Sequence, residues 1–214
     1  SALASDHTAT EKLIVESGIK HSFLRNNWYL ENEAGFLNGE DIVYAAGDGK
    51  VGWALEREYA EGAVKVLVSD KTKDVYEFAG ASRSYADLAK AVGEVYGKEI
   101  AVTNVASDDY KAGLEKAGLD ENTIGFILMI QDLIKQGELT EETSDLVDVL
   151  GHELKALPEA ASTMPWIQNR TSGSPPRIPF PKNTTIPSRI SSRKFSTASM
   201  LKNLKLPASP ISTP

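Results

Sequence analysis

The sequence holds no cysteine, which excludes disulfides, thiolate metal sites and a thiol nucleophile together. It has no apolar run long enough to cross a bilayer. Its opening, SALASDHTATEK, lacks the apolar stretch that a secretory leader needs. Acidic residues are absent after Glu159, while eight of the 23 basic residues and nine of the ten prolines follow Ala160. The first 159 residues therefore carry 15 basic against 30 acidic side chains, and the whole-chain net charge of −7 hides two unlike parts. A globular body is expected over residues 1–158 and a basic Pro/Ser/Thr-rich tail over 159–214. A tail of that composition buries too little apolar surface to order itself. It reads either as an arm for phosphate or anionic surfaces or as a sequence unrelated to the body, and the abrupt change favours the second.

What is present alternates. A helix is expected over 3–17, stopped by Gly18, and a short strand over 21–26. A strand over 42–46 closes on Gly47-Asp48-Gly49. A helix over 55–68 would turn Ala60, Ala63, Val64 and Leu67 inward. A strand over 75–79 leads to Ser84-Tyr85-Ala86-Asp87, a capping-box start for a helix to Tyr96. A strand over 99–105 has Ile100 and Val102 on one face, and Ser107 caps a helix to Ala117. An apolar helix covers 122–136, and a last one starts at Thr140 and runs to Gly151. Strands alternating with helices mean an α/β fold with a mostly parallel sheet. The first helix has no strand before it, so the chain is expected to start within a βαβ unit.

One run of residues is more specific. His7-Thr8-Ala9-Thr10-Glu11, Ser17-Gly18-Ile19, and Phe23-Leu24-Arg25-Asn26-Asn27-Trp28-Tyr29-Leu30-Glu31-Asn32 resemble the NmrA-like family of atypical short-chain reductases. The nearest pattern is that of type-2 NAD(P)H:quinone oxidoreductases and triphenylmethane reductases. Gly47-Asp48-Gly49-Lys50-Val51, Arg57-Glu58 with Ala60-Glu61, the unit from Ser84 to Val105, and Leu150-Gly151-His152 with Leu157 extend the likeness over residues 1–158.

The resemblance implies the C-terminal part of a doubly wound, Rossmann-like sheet with a small α/β substrate-side subdomain. It implies NADP or NAD as cofactor, hydride transfer to a small quinone-like acceptor, and a cytoplasmic setting without a membrane span or a specific nucleic-acid partner. Self-association is expected from a sheet with an unpaired edge, and a homo-oligomer stays open. His7 takes the position where related reductases carry a catalytic lysine. Arg25, Asn26 and Asn27 fall beside the nicotinamide, and Trp28 and Tyr29 face the acceptor. Each has a plainer reading: a helix-start histidine, a turn asparagine, aromatic core plugs.

The family's G-x-x-G-x-x-G, which holds the pyrophosphate on backbone N–H groups, does not occur here. The glycines at 47, 49 and 52 come nearest and read as a turn. A chain without that motif is expected to bind cofactor poorly, which leaves open a non-catalytic dinucleotide sensor or an inactive fragment. Arg57-Glu58 reads as a structural pair, and Asp108-Asp109 and Glu141-Glu142 as first-turn helix charges.

Overall fold

A computed structural model describes residues 4–35 and 41–164. Helix α1 (Ala4–Glu16) leads to β1 (Phe23–Asn26) and a 3-10 turn (Leu30–Gly35). There follow β2 (Asp41–Tyr44), α2 (Glu56–Leu67), β3 (Val75–Phe78), α3 (Tyr85–Tyr96) and β4 (Ala101–Asn104). Helices α4 (Ser107–Lys116), α5 (Glu121–Lys135), α6 (Asp145–Leu150) and α7 (Leu157–Ser162) complete the body. The strands form two parallel pairs. In the first, Phe23 to Asn26 of β1 face Val75 to Phe78 of β3 in register. In the second, β2 pairs with β4. Parallel neighbours separated by helices are the α/β arrangement expected.

Local chemistry explains the boundaries. Ser84 and Asp87 form a reciprocal box at α3: the Asp87 N–H donates to Ser84 Oγ and the Ser84 N–H to Asp87 Oδ2. Such caps contribute about 1 kcal/mol. Gly97 closes the helix at φ 65°, where glycine has no Cβ penalty. Asp120 caps α5 through the N–H groups of Asn122 and Thr123.

Four expectations shift. Helix α2 buries Tyr59, Gly62 and Val66, whereas Val64 is 57% and Leu67 80% exposed. Gly62 decides this, because a Cβ there would lie 2.9 Å from the Phe78 ring, so the ring seats where a hydropathy pattern registers nothing. On β4, Ile100 is buried just before the strand, but Val102 is exposed. Ala106, not Ser107, occupies the N-cap of α4, without a side-chain bond. The helix expected from Thr140 starts at Asp145. Thr140 Oγ1 donates to the Lys50 carbonyl and the Glu141 N–H to Ser82 Oγ, and these cross-chain bonds hold the segment out of helix. Glu141 and Glu142 therefore precede α6 rather than sit in its first turn.

The main core gathers Leu30, Ile42, Trp53, Tyr85, Leu88, Ile130 and Ile134. A second cluster joins Tyr59, Tyr76, Phe78, Leu146 and Leu150. The compositional break at 158 does not coincide with the end of packing, since α7 lies against α3 and buries Ala160, Ala161 and Met164. The basic tail beyond Met164 lies outside the described residues.

Candidate functional site

The site grows from the carboxyl end of β1, where ligands gather in open α/β sheets. The Asn27 N–H continues the ladder onto the Phe78 carbonyl, and Leu30 N–H bonds Ala54 O. Residues 27–30 are thereby held against two separate segments before entering the 3-10 turn.

Arg25 is committed sideways. Its Nε and Nη2 donate to the Glu11 carboxylate at 2.9 and 2.7 Å, and Nη1 donates to Glu77 Oε1 at 2.6 Å. Hydrogen bonding from Arg25 holds the Glu11 carboxyl below its ordinary range, and the two carboxylates push the guanidinium higher still. His7 stands exposed on α1 one turn before Glu11, and its charge also favours ionised Glu11. The fold thus brings Glu11, Arg25 and Glu77 into one ion-pair cluster, with His7 one turn before Glu11 on α1.

The two asparagines diverge. Asn27 is a clamp: Nδ2 donates to the Leu139 carbonyl, and Oδ1 accepts the Trp28 N–H at 2.7 Å. Asn26 is exposed and reaches only Tyr29, with Nδ2 3.2 Å from the hydroxyl. Tyr29 stacks at a tilt on Tyr59, ring centres 5.1 Å apart. The half-buried Trp28 meets Phe126 of α5 at 6.5 Å, so Trp28 and Phe126 make an aromatic wall beside the strand end.

Behind this wall sits Glu33, a residue with no sequence signal beyond its place next to the Glu31-Asn32 pair. It is fully buried. Its Oε1 accepts from Trp53 Nε1 at 2.9 Å. The Tyr85 hydroxyl and the Trp28 indole also face it, and burial outweighs all three donors, raising its pKa to about 7. Glu31 takes another role: both its oxygens accept from the Glu56 N–H, an anion at the start of α2. Glu58 accepts from the Leu55 and Lys155 N–H groups, which gives the Arg57-Glu58 pair its structural meaning.

The 47–52 glycines do not form a phosphate cradle. The N–H of Gly47 goes to Asn104 Oδ1, that of Gly49 to Ala46 O, and that of Gly52 to Leu139 O. A Cβ on Gly49 would lie 2.2 Å from the Ile134 carbonyl, so these glycines serve close packing. Among the described residues, no group of three or more His, Cys, Asp or Glu could hold a metal ion, and no helix is long and apolar enough to cross a membrane.

No family model matches the chain. Quinone oxidoreductase 2 of Escherichia coli (strain K12) is 31% identical over 173 residues, which are 78% of this chain and 60% of that protein. The structure of that enzyme complexed with NADPH matches with a TM-score of 0.68, covering 75% of this chain and 59% of its own. Citrobacter sp. triphenylmethane reductase complexed with NADP(H) matches with a TM-score of 0.70 at 29% identity, over 76% of this chain and 59% of its own. The chain spans about three-fifths of the length of these relatives.

Proposed function

From the homology of this chain to the NmrA-like quinone oxidoreductases, we propose that it contributes the acceptor-side wall of an NAD(P)H-dependent reductase acting on a quinone-like molecule. The observation that carries the reading is the loop from Asn26 to Tyr29, which leaves the carboxyl end of a parallel strand with an exposed amide and two aromatic rings.

The residues fit one half of the dinucleotide. Asn26, exposed at the strand end, would hold the nicotinamide carboxamide, and His7 lies on the exposed face of α1. The Gly47–Gly52 turn does not fit the pyrophosphate, because the amides of Gly47, Gly49 and Gly52 are already bonded. A dinucleotide held at the strand end would supply the hydride. Trp28 and Tyr29 bind and orient the flat acceptor by ring contact, and His7 relays the proton to the acceptor oxygen as it gains negative charge. Arg25 and Asn27, engaged internally, set the loop rather than touch the cofactor.

Dinucleotide-dependent quinone reduction tests the reading. His7→Ala is expected to lower kcat by about a hundredfold, and Trp28→Ala to raise the acceptor KM about tenfold. Dinucleotide affinity without turnover would identify a redox sensor instead. Absence of both would end the reading for this chain.

A further inference from the structure

The hydrogen bonds behind the aromatic wall all run one way. The Ala45 N–H donates to Gln131 Oε1 at 2.8 Å, which fixes the amide so that Nε2 donates to the Tyr85 hydroxyl oxygen at 2.9 Å. Tyr85 is left with its own proton to offer, and that hydroxyl faces Glu33. Trp53 Nε1 adds a second donor. An indole can only donate, so Trp53 and Trp28 offer this carboxyl donors and no acceptor. Donors on every side suit a carboxylate, whereas full burial suits the neutral acid. The two demands oppose each other on one side chain.

The second oxygen carries the consequence. Glu33 Oε2 and Trp28 Nε1 are both buried, and neither has a hydrogen-bond partner among the described residues. The Trp28 indole nevertheless faces this carboxyl. A buried acceptor and a buried donor held near one another without a closed bond are an arrangement that one charge can change. The other groups facing Glu33 are Trp53 from the segment between β2 and α2, Tyr85 from α3 and, at longer range, Tyr110 from α4.

We propose that Glu33 is a positioning residue for Trp28, and that the proton it holds decides whether the Trp28 indole N–H is drawn onto its free oxygen. Ionised, Glu33 pulls the indole inward and tilts the ring relative to Phe126. Protonated, it releases the indole. The carboxyl touches no substrate; it acts through the ring that the preceding section assigns to the acceptor. The coupling of Glu33 to Trp28 stands on two buried, unpartnered atoms and on the indole that faces the carboxyl, and only its effect on the acceptor rests on that functional reading.

The test reads the indole N–H resonances of the 214-residue chain by 15N-edited NMR, assigned with Trp28→Phe and Trp53→Phe. Both resonances are expected to titrate together, with one midpoint near neutral pH, and Trp28 to show the larger shift. Glu33→Gln should abolish both titrations. A Trp28 resonance that stays fixed across the neutral range in the unaltered chain overturns the proposal, and this outcome does not depend on any variant folding. Persistence of the Trp28 titration in Glu33→Gln also overturns it. Where turnover is measurable, the acceptor KM should follow the same midpoint while kcat does not. A pH-independent KM beside a titrating indole would keep the Glu33–Trp28 coupling and remove Trp28 from the acceptor site.

Discussion

Glu11 and Glu33 lie on either side of the same strand-end loop, and they meet opposite surroundings. Glu11 faces a cation at the surface, with two of the Arg25 nitrogens on its oxygens, and its pKa falls. Glu33 faces the neutral donors of Trp53, Tyr85 and Trp28 in the interior, and its pKa rises to about 7 because burial outweighs them. One carboxylate is secured by charge, and the other is left poised by the lack of it. A carboxyl paired with a cation is held ionised, while one buried among neutral donors is drawn toward its neutral form.

The comparison breaks most visibly at Glu33. A carboxyl whose folded pKa lies above its unfolded value favours folding at low pH, and that contribution is lost as pH rises through the folded value. Between about pH 4.5 and 7 the unaltered chain should lose about 3 kcal/mol of stability from this one group. Glu33→Gln should flatten that slope, as urea unfolding at a series of pH values would reveal. A slope unchanged by the substitution would mean that Glu33 is not the titrating group.

Trp53→Phe is the next largest. It removes the Trp53 Nε1 hydrogen bond to Glu33 Oε1 and should cost about 2 kcal/mol. It should also move the Glu33 midpoint higher, because a donor that favours the charged form is gone. Denaturant titration gives the first effect and the pH series gives the second. A midpoint moving down would contradict the assignment of Trp53 as the counterweight to burial.

At the outer end the effects are smaller. Arg25 is half-exposed, so Arg25→Gln should cost less than about 1 kcal/mol at low salt, and less as salt screens the pairs. The sign with pH is reversed. Glu11, lowered in the fold, contributes above its unfolded pKa and loses that contribution as pH falls through its folded value. Arg25→Gln should therefore blunt acid sensitivity while leaving the neutral slope intact. Thermal unfolding at acidic and neutral pH separates the two.

Much of this architecture was legible because it rests on local chemistry. Ser84, Asp87 and Gly97 mark α3 by side-chain type and spacing, and the α/β class follows from alternating patterns. The His7 to Asn32 run pointed to the reductase homologues that the comparisons then found. What stayed hidden depends on distant partners. Gly62 sets the buried face of α2 by admitting Phe78, which no periodicity registers. The contact of Arg25 with Glu77, far along the chain, has no sequence signal either. Glu33 reads as one more surface acid until Trp53 and Tyr85 close over it.

The Leu139 carbonyl, which takes the Asn27 amide on one side and the Gly52 N–H on the other, ties three stretches of chain at a single oxygen. An insertion between α5 and α6 would pull that oxygen away and release the loop that carries Trp28. Under the proposed function, variation in acceptor preference should therefore come from exchanging side chains such as Phe126, at constant loop length. Homologues with a longer α5–α6 connection should have replaced Asn27 as well.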